Sequence, residues 1–450
     1  MLLFKPSHVG QVGVRAMMPQ TDGCWVAIDS AMGRRQSPHA ASECTSEADD
    51  NVFTKRMSIP PTIFAVYLPT ALLAFSQGLL IATLPLYAQS FGVGYKAISV
   101  AVGAAAIGTL VMDVPAGALL GRIGLRPAMI GGSALVAVST LALAFTKDFN
   151  LVVVMRVLAG IGTAMWGLSR HAYIAEAIPV GQRGKALSTF GGINRIGLFI
   201  GPVLGGVIAD LLGLRWSFVA GAILAGVALA ISITMLRPVP RAPGPAHRER
   251  WSLVKQAMRR NWQDLSAAFV ALTMAQVIRA GRYLLIPLYG ADTLHLNAAD
   301  IGLIMTIGAL TDVAMFVPAG IVMDRFGRKV ASVPSFTVMA IGVAMIPFTH
   351  SFLGLAAASV VIGLGNGLGS GAMMTLGADL APNGATGEFL GVWRLIGDVG
   401  ATLGPLTVGW VAASIGLSGS AYALALMGVG AALTIAFLVK ETRSVSESPT

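Results

Sequence analysis

From residue 61 to residue 439 the chain alternates between apolar runs of roughly 20 residues and short polar gaps. A helix needs about 20 apolar residues to cross the roughly 30 Å hydrocarbon core of a bilayer. Within lipid, only helices and closed barrels satisfy every backbone polar group. The runs predict transmembrane helices near 61–88, 95–120, 128–146, 150–177, 186–211, 217–236, 264–290, 298–323, 330–348, 352–378, 387–413 and 418–439, about twelve in all. The fold class predicted is an all-α polytopic membrane protein. Residues 1–56 are mixed and polar, with no apolar stretch of signal-peptide type. They read as a disordered cytoplasmic tail, with Met57 as an alternative natural start. Residues 237–263 join the sixth and seventh spans, and residues 440–450 form a second short tail.

Composition supports this pattern. The 450 residues are 55% hydrophobic and 12% charged, outside the range of soluble domains. A net charge of +10 raises the question of a nucleic-acid partner. That reading needs a basic patch beside a recognition motif, and neither is present. The cations fall instead in alternate gaps: Arg122 and Arg126, Arg183 and Lys185, the seven between Arg237 and Arg260, Arg325 to Lys329, and Lys440 with Arg443. By the positive-inside rule these gaps and both termini are cytoplasmic, in a plasma membrane of bacterial inner-membrane type. From Trp251 the long gap is amphipathic, and two readings stay open: a helix on the anionic inner leaflet, or a solvated linker. Cys24 and Cys44 lie before the first span and the histidines lack paired spacing, so no metal or other cofactor is expected. No nucleophile–base pair or Walker loop is visible, so no enzyme is expected either.

The chain repeats itself. MDVPAGALLGRIGLR at 112–126 returns as MFVPAGIVMDRFGRK at 315–329, a shift of 203 positions. The same shift carries Gly160 and Gly162 onto Gly363 and Gly365, Glu176 onto Asp379, and Gly201-Pro202 onto Gly404-Pro405. The expected halves are 57–236 and 264–439, with six spans each. Secondary transporters use parallel repeats of this kind, with the binding site between the repeats near mid-membrane.

These repeated phrases resemble the major facilitator superfamily. Gly117, Arg122, Gly124 and Arg126, and more fully Gly320, Asp324, Arg325, Gly327, Arg328 and Lys329, are similar to its loop signature. Arg156, Gly160 and Gly162 resemble its fourth-helix motif. Gly197, Gly201, Pro202, Gly205 and Gly206 resemble the fifth-helix motif of its twelve-helix drug/proton antiporters. The resemblance implies two pseudo-symmetric six-helix bundles, alternating access, and a monomer. It also implies that the second helix packs on the eleventh and the fifth on the eighth.

Charges inside a span are costly and mark pathways or pairs. Asp113, Arg156, Arg195, Arg279, Arg282, Asp312, Arg394 and Asp398 are such charges. With about 1.5 Å of rise per residue and the helix neighbours implied by the family, matching depths predict Arg195 with Asp312 and Asp113 with Arg394. The alternative is pairing within one half, Arg394 with Asp398 a turn away. Gln77, Gln276, Arg279, Tyr283 and Asn366 are the candidate cavity residues; Arg282 either joins them or snorkels to an interface. In the family the loop acid meets a helix N-terminus of the other half, as Asp324 would near Gly184. Gly121 stands where the first copy should carry that acid, so a swapped latch, Arg122 with Glu388, is expected. The first span has no carboxylate, which leaves Asp113, Asp312 and Asp398 as candidates for proton coupling.

The function expected is therefore proton-coupled efflux of a small drug-like or metabolite substrate. The alternatives are uptake of an organic anion, or a non-transporting sensor or lipid translocator.

Overall fold

The structure, a computed structural model, describes residues 61–177, 180–238, 247–369, 371–382 and 384–441. The two tails expected at 1–56 and 440–450 lie outside these residues, save Lys440 and Glu441. The helices in chain order are α1 (Pro61–Gln89), α2 (Tyr95–Ile123), α3 (Leu125–Phe145), α4 (Phe149–Ala177), α5 (Val180–Leu212) and α6 (Leu214–Met235). A connecting helix, α7 (His247–Arg260), leads to α8 (Trp262–Asp292), α9 (Ala298–Phe326), α10 (Arg328–Met345), α11 (Phe352–Leu368), α12 (Ala372–Asp379) and α13 (Thr386–Phe437). Among the described residues, eleven helical stretches are long and apolar enough to cross a membrane.

Two of these assignments need a physical reading. Residues 352–379 act as one crossing made of α11 and α12. The 52 residues of α13 would extend for about 78 Å as one helix, more than twice a bilayer core. Gly416 breaks it with φ of 81°, a backbone value open to glycine and disfavoured for residues with a Cβ. Two crossings therefore lie in α13, one on each side of Gly416, and the total is twelve. Gly213, 203 positions earlier, breaks α5 from α6 with φ of 100°.

The repeat extends to individual hydrogen bonds. Arg126 donates to the Ile233 carbonyl at 3.0 Å, and Lys329 to that of Ala436 at 3.0 Å. The Ser217 hydroxyl donates to the Gly205 carbonyl at 2.8 Å, and Ser420 to that of Val408 at 2.8 Å. Each second bond is the first moved by 203 positions. The bundles share one backbone plan, so charges that differ between them stand out.

Small residues set the helix spacing. A Cβ on Gly197, Gly201 or Gly205 of α5 would strike Ala74, Gly78 or Leu79 of α1, while one on Gly206 would strike Ala298 of α9. The fifth-helix motif thus has two faces. Three glycines let α5 lie against α1 within the first half; Gly206 and the Pro202 carbonyl, which abuts Gly302, let it lie against α9 of the second.

The two halves meet along two seams, α5 with α9 and α2 with α13. Both close at the face opposite the α7 linker, here called the far face. There the Asp210 carboxylate accepts from the N–H groups of Ala298 and Ala299, at 3.0 and 3.2 Å, at the start of α9. Asp292 accepts from the Tyr95 hydroxyl at 2.7 Å and from the Gln89 amide, and Gly409 abuts Ser99. At the linker face, a Cβ on Gly320, Gly387 or Gly391 would meet nothing within 4 Å.

The helix α7 turns its apolar side inward: Val254 is buried and Trp251, Leu253 and Met258 pack against the core. The face expected to lie on a leaflet or in solvent is held by protein.

Candidate functional site

The cavity between the halves has lobes that meet at Tyr283 of α8. One is lined by Arg195, Phe199 and Pro202 of α5, Arg282 and Tyr283, Asp312 of α9 and Ser359 of α11. The second is lined by Ser76 and Gln77 of α1, Thr109 of α2, Thr140 of α3, Arg156 and Thr163 of α4, and again Tyr283. A third, beside Gln77 and Thr163, adds Arg170, Asn194 and Arg394. The second lobe has a cavity volume of ≈ 320 Å³, at the lower end of the range of small-molecule sites.

Each seam carries one ionic cluster next to this cavity. On the α5/α9 seam, Arg195 Nη1 lies 3.9 Å from Asp312 Oδ1. The Asn366 amide donates to the other oxygen of Asp312 at 2.6 Å, and the Arg195 guanidinium lies over the Phe316 ring at 4.6 Å. On the α2/α13 seam, Nε of Arg394 stands 3.6 Å from Asp113 and 3.5 Å from Asp398. The cross-half and the within-half pairings of Arg394 are thus present together. The Asp113 side chain is 8% exposed, and neither of its oxygens has a hydrogen-bond partner among the described residues.

The seventh span departs from expectation in one respect. Arg279 turns toward Gln276, the Gly369 carbonyl at 3.2 Å and the Phe336 ring, bracing α8 against its own half. Arg282 does not snorkel. It is 8% exposed, lines the cavity, and donates to the Tyr283 hydroxyl at 3.0 Å. Gln77 donates to Thr163 in the second lobe. Gln276 packs against Gly397 and Gly400 of α13.

Among the described residues, the linker-face contacts of the second motif copy lie within the second half. Arg328 pairs with Asp379 at 2.9 Å, and Glu441 accepts from the N–H groups of Arg328 and Lys329. Asp324 is exposed, and the side chains around Gly184 are outside the described residues. The swapped latch is not formed: Arg122 is exposed and not ion-paired with Glu388 among the described residues. Its physical reason is the loose packing around Glu388, where a Cβ on Gly387 or Gly391 would meet nothing within 4 Å.

Arg170 was not foreseen. It sits near the polar end of the fourth apolar run, beside His171, where a cation reads as loop-proximal. Its spacing was the missed signal: Thr163, Gly167 and Arg170 form one helical stripe, and all three line the third lobe.

The chain matches the family model described as Major Facilitator Superfamily over residues 66–289 and 274–450. It is similar to an MFS-type transporter of Methanocaldococcus jannaschii, 23% identical over 364 residues, covering 79% of this chain and 92% of that protein. It is also similar to Multidrug resistance protein 1 of Bacillus subtilis, 26% identical over 372 residues, covering 80% and 92%. Among solved structures it resembles a D-xylose–proton symporter with a TM-score of 0.66 and 20% identity, covering 85% of this chain and 98% of the other. That likeness shows the fold alone.

Proposed function

Since the chain belongs to the Major Facilitator Superfamily and is a transporter rather than an enzyme, we propose that it exports a small drug-like or metabolite compound, with proton entry as the driving force, by alternating access. The observation that carries the proton coupling is the sharing of Arg394 between Asp113 and Asp398. The cluster has one negative charge more than positive, and a proton neutralises that surplus. Asp398 is one turn from Arg394 on the same helix and travels with it, whereas Asp113 belongs to the other half. Rocking of the halves therefore changes the surroundings of Asp113 and leaves the Arg394–Asp398 pair intact. Asp113 is the carboxylate whose protonation follows the transport cycle.

Export is supported by the likeness to Multidrug resistance protein 1 and by the close packing of the fifth-helix motif on both neighbours. The basic residues of the linker face support its lying in the cytoplasm together with both termini. The contacts described at the far face then correspond to a conformation open to the cytoplasm. One chain supplies both walls of the cavity, consistent with a working monomer in a bacterial inner membrane.

The test is proton flux in liposomes holding the purified protein, with ethidium, tetracycline and benzoate as candidate substrates. Substrate-triggered proton movement that Asp113→Asn abolishes, while substrate still stabilises the variant against heat, is the expected result. Flux that survives in Asp113→Asn removes this site from the coupling.

A further inference from the structure

Three guanidinium groups and one carboxylate line the two lobes that meet at Tyr283: Arg156, Arg195 and Arg282 against Asp312. Arg195 and Asp312 answer each other across the seam. The other two have no carboxylate. Among the described residues, Arg156 has neither an ion pair nor a hydrogen-bond partner, and its Nε is buried. Nε of Arg282 is likewise buried and unpartnered, and the one bond of its guanidinium is to the neutral Tyr283 hydroxyl. Both lie well inside apolar spans, where an unanswered cation is expensive to hold. Proteins retain such groups where a ligand supplies the opposite charge.

Resting on the transporter reading above, we infer that Arg156 and Arg282 are anion-binding groups, one in each of the two lobes that meet at Tyr283, and that the substrate is an amphipathic organic acid. The acid group is held by forked N–H donors of the kind that match a carboxylate, phosphate or sulfonate. The surroundings fit the rest of such a molecule. Leu80, Ile81 and Leu84 offer an apolar wall on one side, and Ile286 and Met305 on the other. Gln77, Thr163 and Tyr283 supply neutral hydrogen-bonding groups between them. A cationic drug would instead enter lobes with two cations in excess. Arg156 sits on α4 of the first half and Arg282 on α8 of the second, so each half offers the substrate one guanidinium.

The experiment uses the full chain in phosphatidylcholine nanodiscs and a matched probe series: phthalate, benzoate, neutral benzamide and cationic benzylammonium. Thermal unfolding and calorimetric titration are expected to show binding in the order phthalate, benzoate, then benzamide, with none for benzylammonium. Arg156→Gln and Arg282→Gln each weaken phthalate about tenfold to a hundredfold, the range for loss of a charged hydrogen bond. Arg156→Lys recovers part of the loss and serves as the control if Arg156→Gln fails to fold. Equal stabilisation by benzylammonium, no stabilisation by any acid, or unchanged phthalate affinity in both folded Gln variants overturns the inference. Displacement of phthalate by phosphatidylglycerol added to the nanodiscs also overturns it, by assigning the site to a lipid headgroup. Ethidium-triggered proton flux without acid binding would sink the inference and leave proton-coupled export standing. Acid binding without proton movement would do the reverse.

Discussion

The two seams between the halves share a backbone plan and carry different ion-pair clusters. On the α5/α9 seam one acid, Asp312, is answered by Arg195 and by the Asn366 amide, and Arg282 lines the same lobe. On the α2/α13 seam one base, Arg394, serves two acids. The 203-residue shift makes the contrast specific. Arg195 falls on Asp398, so one helix position holds a cation in the first half and an anion in the second. Asp312 falls on Thr109, and Phe316, the ring under Arg195, falls on Asp113. Duplication has kept the hydrogen bonds and glycine contacts that set helix spacing, while the charges have diverged. A cation shared by two acids suits a proton, and a single acid among arginines suits an acidic substrate.

The largest test of this contrast is to remove the cation from each seam. Arg394→Gln leaves Asp113 and Asp398 without the cation they share; Asp113 is buried but a third of the Arg394 side chain is exposed, so the cost is about 1–3 kcal/mol. Arg195→Gln leaves Asp312 its Asn366 bond and an arginine in the same lobe, so its cost is nearer about 1 kcal/mol. Thermal unfolding in detergent is expected to separate the two variants. Equal losses would mean that the seams are electrostatically alike and that the division of labour argued from them is wrong.

A smaller effect sharpens the same comparison. Asp312→Asn removes the charge that Arg195 faces but keeps a polar group against Asn366. In a double-mutant cycle with Arg195→Gln the coupling is expected to be about 1 kcal/mol or less, because the pair is 3.9 Å apart and a third of the Arg195 side chain is exposed. A coupling of several kcal/mol would make this pair a structural lock.

The fold was legible in the sequence because its physical causes are local. Twelve apolar runs of bilayer length and glycines at a constant shift need no tertiary information. Only the helix fused across Gly416 required the structure to show that two runs continue with a single backbone break. The seam pairs were legible because charges deep in apolar spans need partners, and the family supplied the neighbouring helices. Side-chain direction was not legible. Arg279 and Arg282 are three residues apart on one face of α8, yet one braces Gly369 and the other lines the cavity, a choice made by the packing of α10 and α11. Arg122 and Glu388 failed to meet for another reason: a sequence specifies the partners of every conformation at once, and the far-face contacts select one.

Those far-face contacts give the smallest expected effect and bear on how the seams move. Asp210 belongs to the first half, and it accepts from two free N–H groups at the start of α9 in the second. A helix N-terminus carries partial positive charge, and a nearby anion is stabilised by about 0.3–1 kcal/mol. Asp210→Asn keeps an acceptor and removes the charge, so the far face opens more readily. The shift in population is roughly twofold to fivefold, the same energy read as an equilibrium constant. A cysteine at Tyr283, labelled by a membrane-impermeant thiol reagent from the far side, reports this as faster modification by that factor. Because Asp210 touches neither ionic cluster, proton stoichiometry per substrate is expected to stay constant while turnover changes. A changed stoichiometry would mean that closure of the α5/α9 seam and protonation at the α2/α13 seam are one event rather than two linked ones.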